Sequence, residues 1–187
     1  MNTKETIQFV TKFLELSLSE KALTFFYDIK KSFGDDDDLM CEFLYHFLTI
    51  QKGGIAPEST RIYTDFCVYF SKFADIQGED KILEQIARYA KYYLILRLEY
   101  IDDIDIAKCI SIINSYEVWE VYPFMLELTD DYENGRIDKS SLLEMLHMVE
   151  DLAYRKLQGD ESIDLSALGI DINKMLYNTN DVIRNVG

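Results

Sequence analysis

The stretch DDYENGRIDKSS, which starts at Asp130, has the spacing of a calcium-binding loop. Asp130 stands at the first loop position, Asn134 at the fifth and Gly135 at the sixth. Such a loop also needs an oxygen ligand at its third position and a bidentate glutamate at its twelfth. Tyr132 and Ser141 stand there, and neither supplies a carboxylate. We therefore predict a helix–glycine–helix turn with acidic flanks, and no calcium site.

The two histidines lie within apolar helical sequence, and neither stands in a known catalytic motif. Glu144 and Glu150 are three residues before and after His147, so either can pair with it on a helix surface. His46 lies between two aromatic residues. The sequence contains no GxSxG, HExxH, Walker loop or GxGxxG pattern. We therefore predict no catalytic residue and no bound cofactor, and we expect that this chain alone is not an enzyme.

The three cysteines, Cys41, Cys67 and Cys109, are widely separated and each lies among apolar residues. An odd number of buried, separated thiols is typical of a reducing compartment. No CxxC motif or Cys/His pairing indicates zinc, so no metal site is predicted. The N-terminal residues lack the apolar core of a signal peptide. We expect a cytoplasmic protein.

The charge balance disfavours binding to nucleic acids and to anionic membranes. The chain of 187 residues has 19 Lys and Arg and 34 Asp and Glu, for a net charge of −15. Phosphate binding needs a cluster of basic residues. The densest basic positions are only the pairs Lys30-Lys31 and Arg155-Lys156. No apolar stretch is long enough for a membrane span, so the expected partners are proteins or flanking domains.

Apolar residues recur every three or four positions along almost the whole chain, which predicts an all-α fold. We expect a single-domain bundle of about eight helices over residues 1–158. Because the loops are short, consecutive helices should be antiparallel. Residues 159–187 are predicted to form a loosely docked helical segment. The predicted helix starts are Ser19, the acidic run 35–38, Ser59 or Thr60, Asp103 or Asp105, Pro123 and Asp138.

The aromatic residues, 13 Tyr, 11 Phe and one Trp, mostly fall on the predicted apolar faces of the helices. Core packing is therefore their expected role. A base-stacking surface would need a positive groove beside it, and the sequence predicts none. Trp119 and Tyr122 lie in a short connection before the seventh helix, and we consider this pair a candidate contact surface.

Several segments follow one another in an order that resembles the helical region of GmrSD-like proteins, a bacterial family of modification-dependent restriction and phage-defence enzymes. The resemblance covers roughly residues 14–158. It includes a Phe-Leu-rich helix, a Tyr-x-x-Phe helix, a Tyr-Pro helix start, a "yeng" turn and a basic helix end. The corresponding residues here are Phe43, Leu44, Lys52, Gly53, Tyr63, Phe66, Tyr122, Pro123, Tyr132 to Gly135, Tyr154, Arg155 and Lys156.

The resemblance implies a middle segment between two active domains. In the family, a ParB/sulfiredoxin-like nucleotide-handling domain with a DGQQR-type motif precedes this region, and an HNH nuclease follows it. Neither motif is found in this sequence, so no catalytic role is carried over to any residue. The usual closing Arg-Arg-Cys is also replaced by Arg155, Lys156 and Leu157. The expected role is a non-catalytic structural or coupling module of a DNA-defence protein.

Three other functions remain open at this point. The first is a stand-alone acidic module that binds a basic protein, which an exposed apolar patch would support. The second is an enzyme whose carboxylates and histidines converge on one pocket of the bundle. The third is a nucleic-acid binder, which would need its scattered basic residues on one face.

Overall fold

A computed structural model describes residues 2–34 and 36–165. These residues form eight α-helices, two short 3₁₀ helices at Ser59–Arg61 and Trp119–Val121, and no β-strand. The all-α prediction with about eight helices is confirmed. The α-helices are α1 Thr3–Ser17, α2 Glu20–Ser32, α3 Asp37–Gln51, α4 Ile62–Gln77, α5 Glu79–Leu98, α6 Ile104–Ser115, α7 Tyr122–Glu133 and α8 Lys139–Leu157. Within this part of the chain, no helix has the length and apolarity required to cross a membrane.

Most helix starts follow the capping rules that the sequence suggested. The Ser19 hydroxyl accepts a hydrogen bond from the Ala22 N–H, and the Asp36 carboxylate accepts one from the Leu39 N–H. Asp103 and Asp138 cap α6 and α8 in the same way. These side chains accept from N–H groups that have no partner within the helix.

The predicted start of α4 at Ser59 or Thr60 is wrong. Those residues belong to a 3₁₀ turn, in which the Arg61 N–H donates to the Glu58 carbonyl at 2.8 Å. The α-helix begins at Ile62 without a side-chain cap. A 3₁₀ turn takes up an N–H group of the helix start through the backbone alone, so a capping hydroxyl is not needed there.

The chain divides into two compact units, Met1–Leu94 and Ile95–Gly187. The first unit contains α1 to α4 and the residues of α5 up to Leu94. Its core is rich in aromatic rings: Phe47 on α3 lies 5.4 Å from the ring of Tyr69 and 5.8 Å from that of Tyr89. Phe43, one turn before Phe47, contacts Tyr93, one turn after Tyr89, at 5.7 Å. The Phe47–Tyr89 and Phe43–Tyr93 contacts together place α3 antiparallel to α5.

The second unit, described up to residue 165, is built around α6 and α8, which pack against each other. Lys139 at the start of α8 contacts Asp103 at the start of α6, with 2.8 Å between Nζ and Oδ2. The rings of Tyr116 and Tyr154, at the ends of the two helices, are 6.0 Å apart. The starts of α6 and α8 are therefore in contact, and so are their ends, which means that the two helices run in the same direction. The intervening α7 returns the chain between them.

The predicted boundary after residue 158 stays a prediction. Residues 166–187, which make up most of the predicted C-terminal segment, lie outside the described part of the chain. The residues just after α8 are tied back to it. Arg155 pairs with Asp160 at 2.8 Å, and the Lys156 ammonium donates to the Ile163 carbonyl at 2.9 Å.

Candidate metal centre

The second unit brings together a cysteine and a histidine that are 38 residues apart in the sequence. Cys109 lies on α6 and His147 on α8. The Cys109 sulphur is 3.8 Å from Nδ1 of His147 and 3.9 Å from Nε2. Because the sulphur is almost equally far from both nitrogens, it lies beside the imidazole ring and not on the lone-pair axis of one nitrogen.

A carboxylate completes this group. Glu150 follows His147 by three residues on α8, and its Oε2 is 3.3 Å from Nδ1 of His147. The three ligand atoms of Cys109, His147 and Glu150 all lie within 4.8 Å of one another. We call these three residues the Cys-His-Glu group.

The group runs from the interior to the surface. Cys109 is 4% exposed, whereas the side chains of Glu150 and His147 are 26% and 65% exposed. One end of the group is therefore anchored in the core, and the imidazole at the other end is accessible to water. An ion could enter from the His147 side without disturbing the helix interface.

Two contacts hold α6 and α8 in register on either side of the group. Lys139 bridges Asp103 and Asp105 at one end, with distances of 2.8 and 2.9 Å, and the Tyr116–Tyr154 contact lies at the other. Between them, buried aliphatic residues face the interior of the unit. These are Ile106, Ile110 and Ile113 on α6, and Leu142, Leu146 and Val149 on α8. The backbone positions of the group are thus set by packing rather than by the group itself.

The electrostatic surroundings of Cys109 are unfavourable for a free thiolate. Burial raises the pKa of the Cys109 thiol, and the carboxylates of Glu150 and Asp105 raise this pKa further. Without a cation nearby, the thiol therefore stays protonated at neutral pH. The same negative surroundings would stabilise a divalent cation at this place.

Two of the three distances between ligand atoms are close to the edges of a tetrahedral zinc site, and all three atoms lie within 4.8 Å of one another. With Zn–S of about 2.3 Å, Zn–N of about 2.05 Å and Zn–O of about 2.0 Å, tetrahedral angles give S···N of about 3.6 Å and N···O of about 3.3 Å. The observed values are 3.8 Å between Sγ and Nδ1 and 3.3 Å between Nδ1 and Oε2. A turn of the exposed imidazole would direct one of its nitrogens to a shared ion.

The same geometry does not suit nucleophilic catalysis. In a Cys–His–acid relay, the imidazole uses one nitrogen for the nucleophile and the other for the acid. Here the Cys109 sulphur lies beside the His147 ring, 3.8 and 3.9 Å from its two nitrogens, so neither nitrogen is directed at the sulphur. The raised pKa of the Cys109 thiol also opposes thiolate formation. Metal binding is therefore the chemistry that this arrangement favours.

The residues that carry the resemblance lie elsewhere, and five of them are in the core of their own unit. Those that are buried are Phe43, Leu44, Phe66, Tyr122 and Pro123. Tyr63 is half-buried, and Gly135 has a φ of 68° in the turn after α7. Tyr154, Arg155 and Lys156 are exposed at the end of α8.

The calcium-like turn is closed by an arginine. Arg136 contacts the Asp130 carboxylate, with 3.2 Å between NH2 and Oδ2, and also pairs with Asp131. The Asn134 amide donates to the Asp130 carbonyl at 2.7 Å. The guanidinium thus supplies the positive charge that a calcium ion would bring, and α7 and α8 flank the turn as predicted.

In the candidate contact pair, Trp119 is partly exposed and Tyr122 is buried, so Tyr122 does not contribute to a surface. Tyr122 is 1% exposed, and its hydroxyl donates to the Asn114 side-chain carbonyl at 2.8 Å. Trp119 is 36% exposed and lies under the Arg97 guanidinium, 4.4 Å from the ring centre. Tyr122 is drawn inward because it opens α7 and its hydroxyl has a polar partner there.

Sequence reasoning found the pairing of His147 with Glu150 but missed Cys109. The His-x-x-Glu spacing on one helix is visible in the sequence, whereas the proximity of Cys109 depends on the register between α6 and α8.

Comparison with family models, curated proteins and solved structures found no match for this chain.

Proposed function

We propose that this chain is a non-catalytic helical coupling module, similar to the middle region of GmrSD-like DNA-defence proteins, that binds flanking domains or a protein partner. The supporting observation is that the large apolar residues behind the resemblance are buried. Phe43 is fully buried, and Leu44, Phe66 and Tyr122 are each 1% exposed. Such residues determine how helices pack, so a likeness carried by them concerns the scaffold and not an active site.

A second candidate is a stand-alone acidic module that binds a basic protein, and the charge distribution favours it. Residues 95–187 contain 8 Lys and Arg and 19 Asp and Glu, which gives 8 − 19 = −11. Residues 1–94 contain 11 and 15, which gives 11 − 15 = −4. The second unit therefore carries most of the negative charge, which would attract a basic surface.

Several cations of the second unit are already engaged by its own acids, which further weakens the case for phosphate binding. Arg136 pairs with Asp130 and Asp131, and Lys139 pairs with Asp103. A basic residue held between two carboxylates would have to give up those contacts before neutralising a phosphate. The acidic field would in turn lower the affinity for any polyanion.

Binding and activity assays test the two candidates. For the coupling module, we expect the purified chain to bind a flanking domain encoded in the same reading frame, in a complex that persists at high salt. For the alternative, we expect binding to a lysine-rich peptide that weakens as salt screens the charges. We expect neither DNA cleavage nor nucleotide hydrolysis by the chain alone. Either activity, or saturable DNA binding at low salt, would contradict both candidates.

A further inference from the structure

We propose that Cys109, His147 and Glu150 bind one zinc ion through the thiolate, one imidazole nitrogen and one carboxylate oxygen, leaving a fourth position open to solvent. This proposal does not depend on the coupling role. It is carried by the convergence of three different ligand types from two helices, with all three ligand atoms within 4.8 Å of one another and two of the distances close to tetrahedral edges.

The donor set selects the kind of metal. A thiolate is a soft ligand, an imidazole is intermediate and a carboxylate is hard, and zinc accepts all three. Calcium and magnesium take oxygen ligands almost exclusively. A site in which the most buried ligand is sulphur therefore favours zinc over the hard cations that are more abundant in cells.

The supporting structure limits the rearrangement that zinc would require. Cys109 is fixed in the α6–α8 interface, and the ion pairs of Lys139 with Asp103 and Asp105 hold the start of that interface. The exposed His147 needs only to turn about its side-chain bonds. The cost of forming the site then comprises the loss of rotational freedom of His147 and Glu150 and the deprotonation of the Cys109 thiol, whose pKa burial raises.

The surroundings also explain why a cation would be retained. Cys109 is buried, and the carboxylates of Glu150 and Asp105 act on its thiol. Zinc binding would release the thiol proton to solvent, and the dication would then attract both the thiolate and the two carboxylates. Because three protein ligands leave one position vacant, a water molecule would complete the tetrahedron, as in zinc sites that exchange their fourth ligand.

The test is metal titration of the full chain under reducing conditions. Cobalt(II) serves as a spectroscopic substitute for zinc, and a sulphur-to-cobalt charge-transfer band together with strong visible bands reports tetrahedral thiolate coordination. Zinc affinity is then measured by competition with a chromogenic chelator. We expect one metal per chain and a thiolate band that Cys109→Ser abolishes.

Matched variants distinguish this site from general acidic binding. Losses of 10–100-fold are usual when a residue that only orients a ligand is removed, so Cys109→Ser, His147→Ala and Glu150→Gln should each weaken zinc binding by at least about tenfold. Glu144→Gln removes the same charge from the same helix, and Cys67→Ser removes another thiol. We expect both control variants to bind zinc within about twofold of the wild type.

Three results would overturn the proposal. The first is a wild-type chain that takes up no zinc at stoichiometric concentration. The second is a thiolate band that survives Cys109→Ser or disappears in Cys67→Ser. The third is an affinity that Glu144→Gln lowers as much as Glu150→Gln does. His147 is largely exposed, so His147→Ala should fold and keeps the test informative even if Cys109→Ser is unstable.

Discussion

Asn114 makes three hydrogen bonds that connect separate elements of the second unit, and its removal should be costly. Its side-chain amide donates to the Leu96 carbonyl at 3.0 Å and to the Glu99 carboxylate at 3.2 Å. Its side-chain carbonyl accepts from the hydroxyl of the buried Tyr122 at 2.8 Å. One residue at the end of α6 thus holds the end of α5 and the start of α7.

The magnitude follows from the number of bonds. A typical intramolecular hydrogen bond contributes about 1 kcal/mol to the free energy of unfolding. Asn114→Ala loses three such bonds and should lower this free energy by about 3 kcal/mol. Tyr122→Phe loses one of them and should cost about 1 kcal/mol. Because that bond is shared, the double variant should also lose about 3 kcal/mol, which gives a coupling energy of about 1 kcal/mol.

Trp119 provides the assay, because it is the only tryptophan in the chain and lies next to this network. Its ring is 5.7 Å from that of Tyr122. Denaturant unfolding followed by Trp119 fluorescence therefore reports the second unit without assuming that the whole chain unfolds in one step. Ser115→Ala is the control, since Ser115 is exposed and, among residues 2–34 and 36–165, its hydroxyl bonds only to the Ile112 carbonyl of its own helix.

Two results would refute this reasoning. One is an Asn114→Ala variant whose free energy of unfolding falls by less than about 1 kcal/mol, and by no more than that of the Ser115→Ala control. The other is a double variant whose loss equals the sum of the two single losses. In the second case the Tyr122–Asn114 bond would contribute nothing, even though its partners are 2.8 Å apart.

Three further predictions concern the turn between α7 and α8. Arg136→Met should lower the free energy of unfolding by about 1–3 kcal/mol, because the buried Asp130 carboxylate loses a cationic partner; an unchanged denaturation midpoint would contradict this. Gly135→Ala should cost about 1 kcal/mol through its φ of 68° alone, since a Cβ there meets no atom of the described residues within 4 Å. Gly135→Asn should cost less in the same denaturation assay, and a larger loss for Asn would refute the backbone explanation. Hydrogen bonds from the N–H groups of α8, first that of Ser141, lower the pKa of Asp138 below 3.8. Its stabilising effect is therefore full above the unfolded-state pKa and is lost as the pH falls through the lower folded-state pKa. The stability advantage of the wild type over Asp138→Asn should shrink in acid. An advantage that is constant with pH would count against a role for the Asp138 charge.

Much of the fold could be predicted because its determinants are local in the sequence. Ser19, Asp103 and Asp138 each cap a helix whose first N–H groups lie two or three residues away. The failure at Ser59 and Thr60 has the same origin. A 3₁₀ turn and a capped α-helix can be formed by the same local residues, and the burial of Ile62 and Phe66 in the first turns of α4 is not visible in the local pattern.

The calcium-like turn shows what composition alone does not resolve. The prediction against calcium rested on the missing ligands at Tyr132 and Ser141. The structure adds a positive reason, because Arg136 already contacts the carboxylates of Asp130 and Asp131. Whether an acidic turn attracts a cation depends on which basic side chain folds back onto it, and the sequence shows only that one is within reach.

Cys109 and His147 show a feature that the local sequence cannot predict. Neither has a motif around it, and each alone has the pattern of an ordinary helical residue. Their proximity depends on α6 and α8 running in the same direction, which places Cys109 beside His147 as it places Asp103 beside Lys139 and Tyr116 beside Tyr154. Consecutive helices were expected to be antiparallel, and two reversals across α7 produce this parallel pair. A ligand set divided between two such helices can be predicted only when their register is known, and the contacts on either side of the Cys-His-Glu group determine that register.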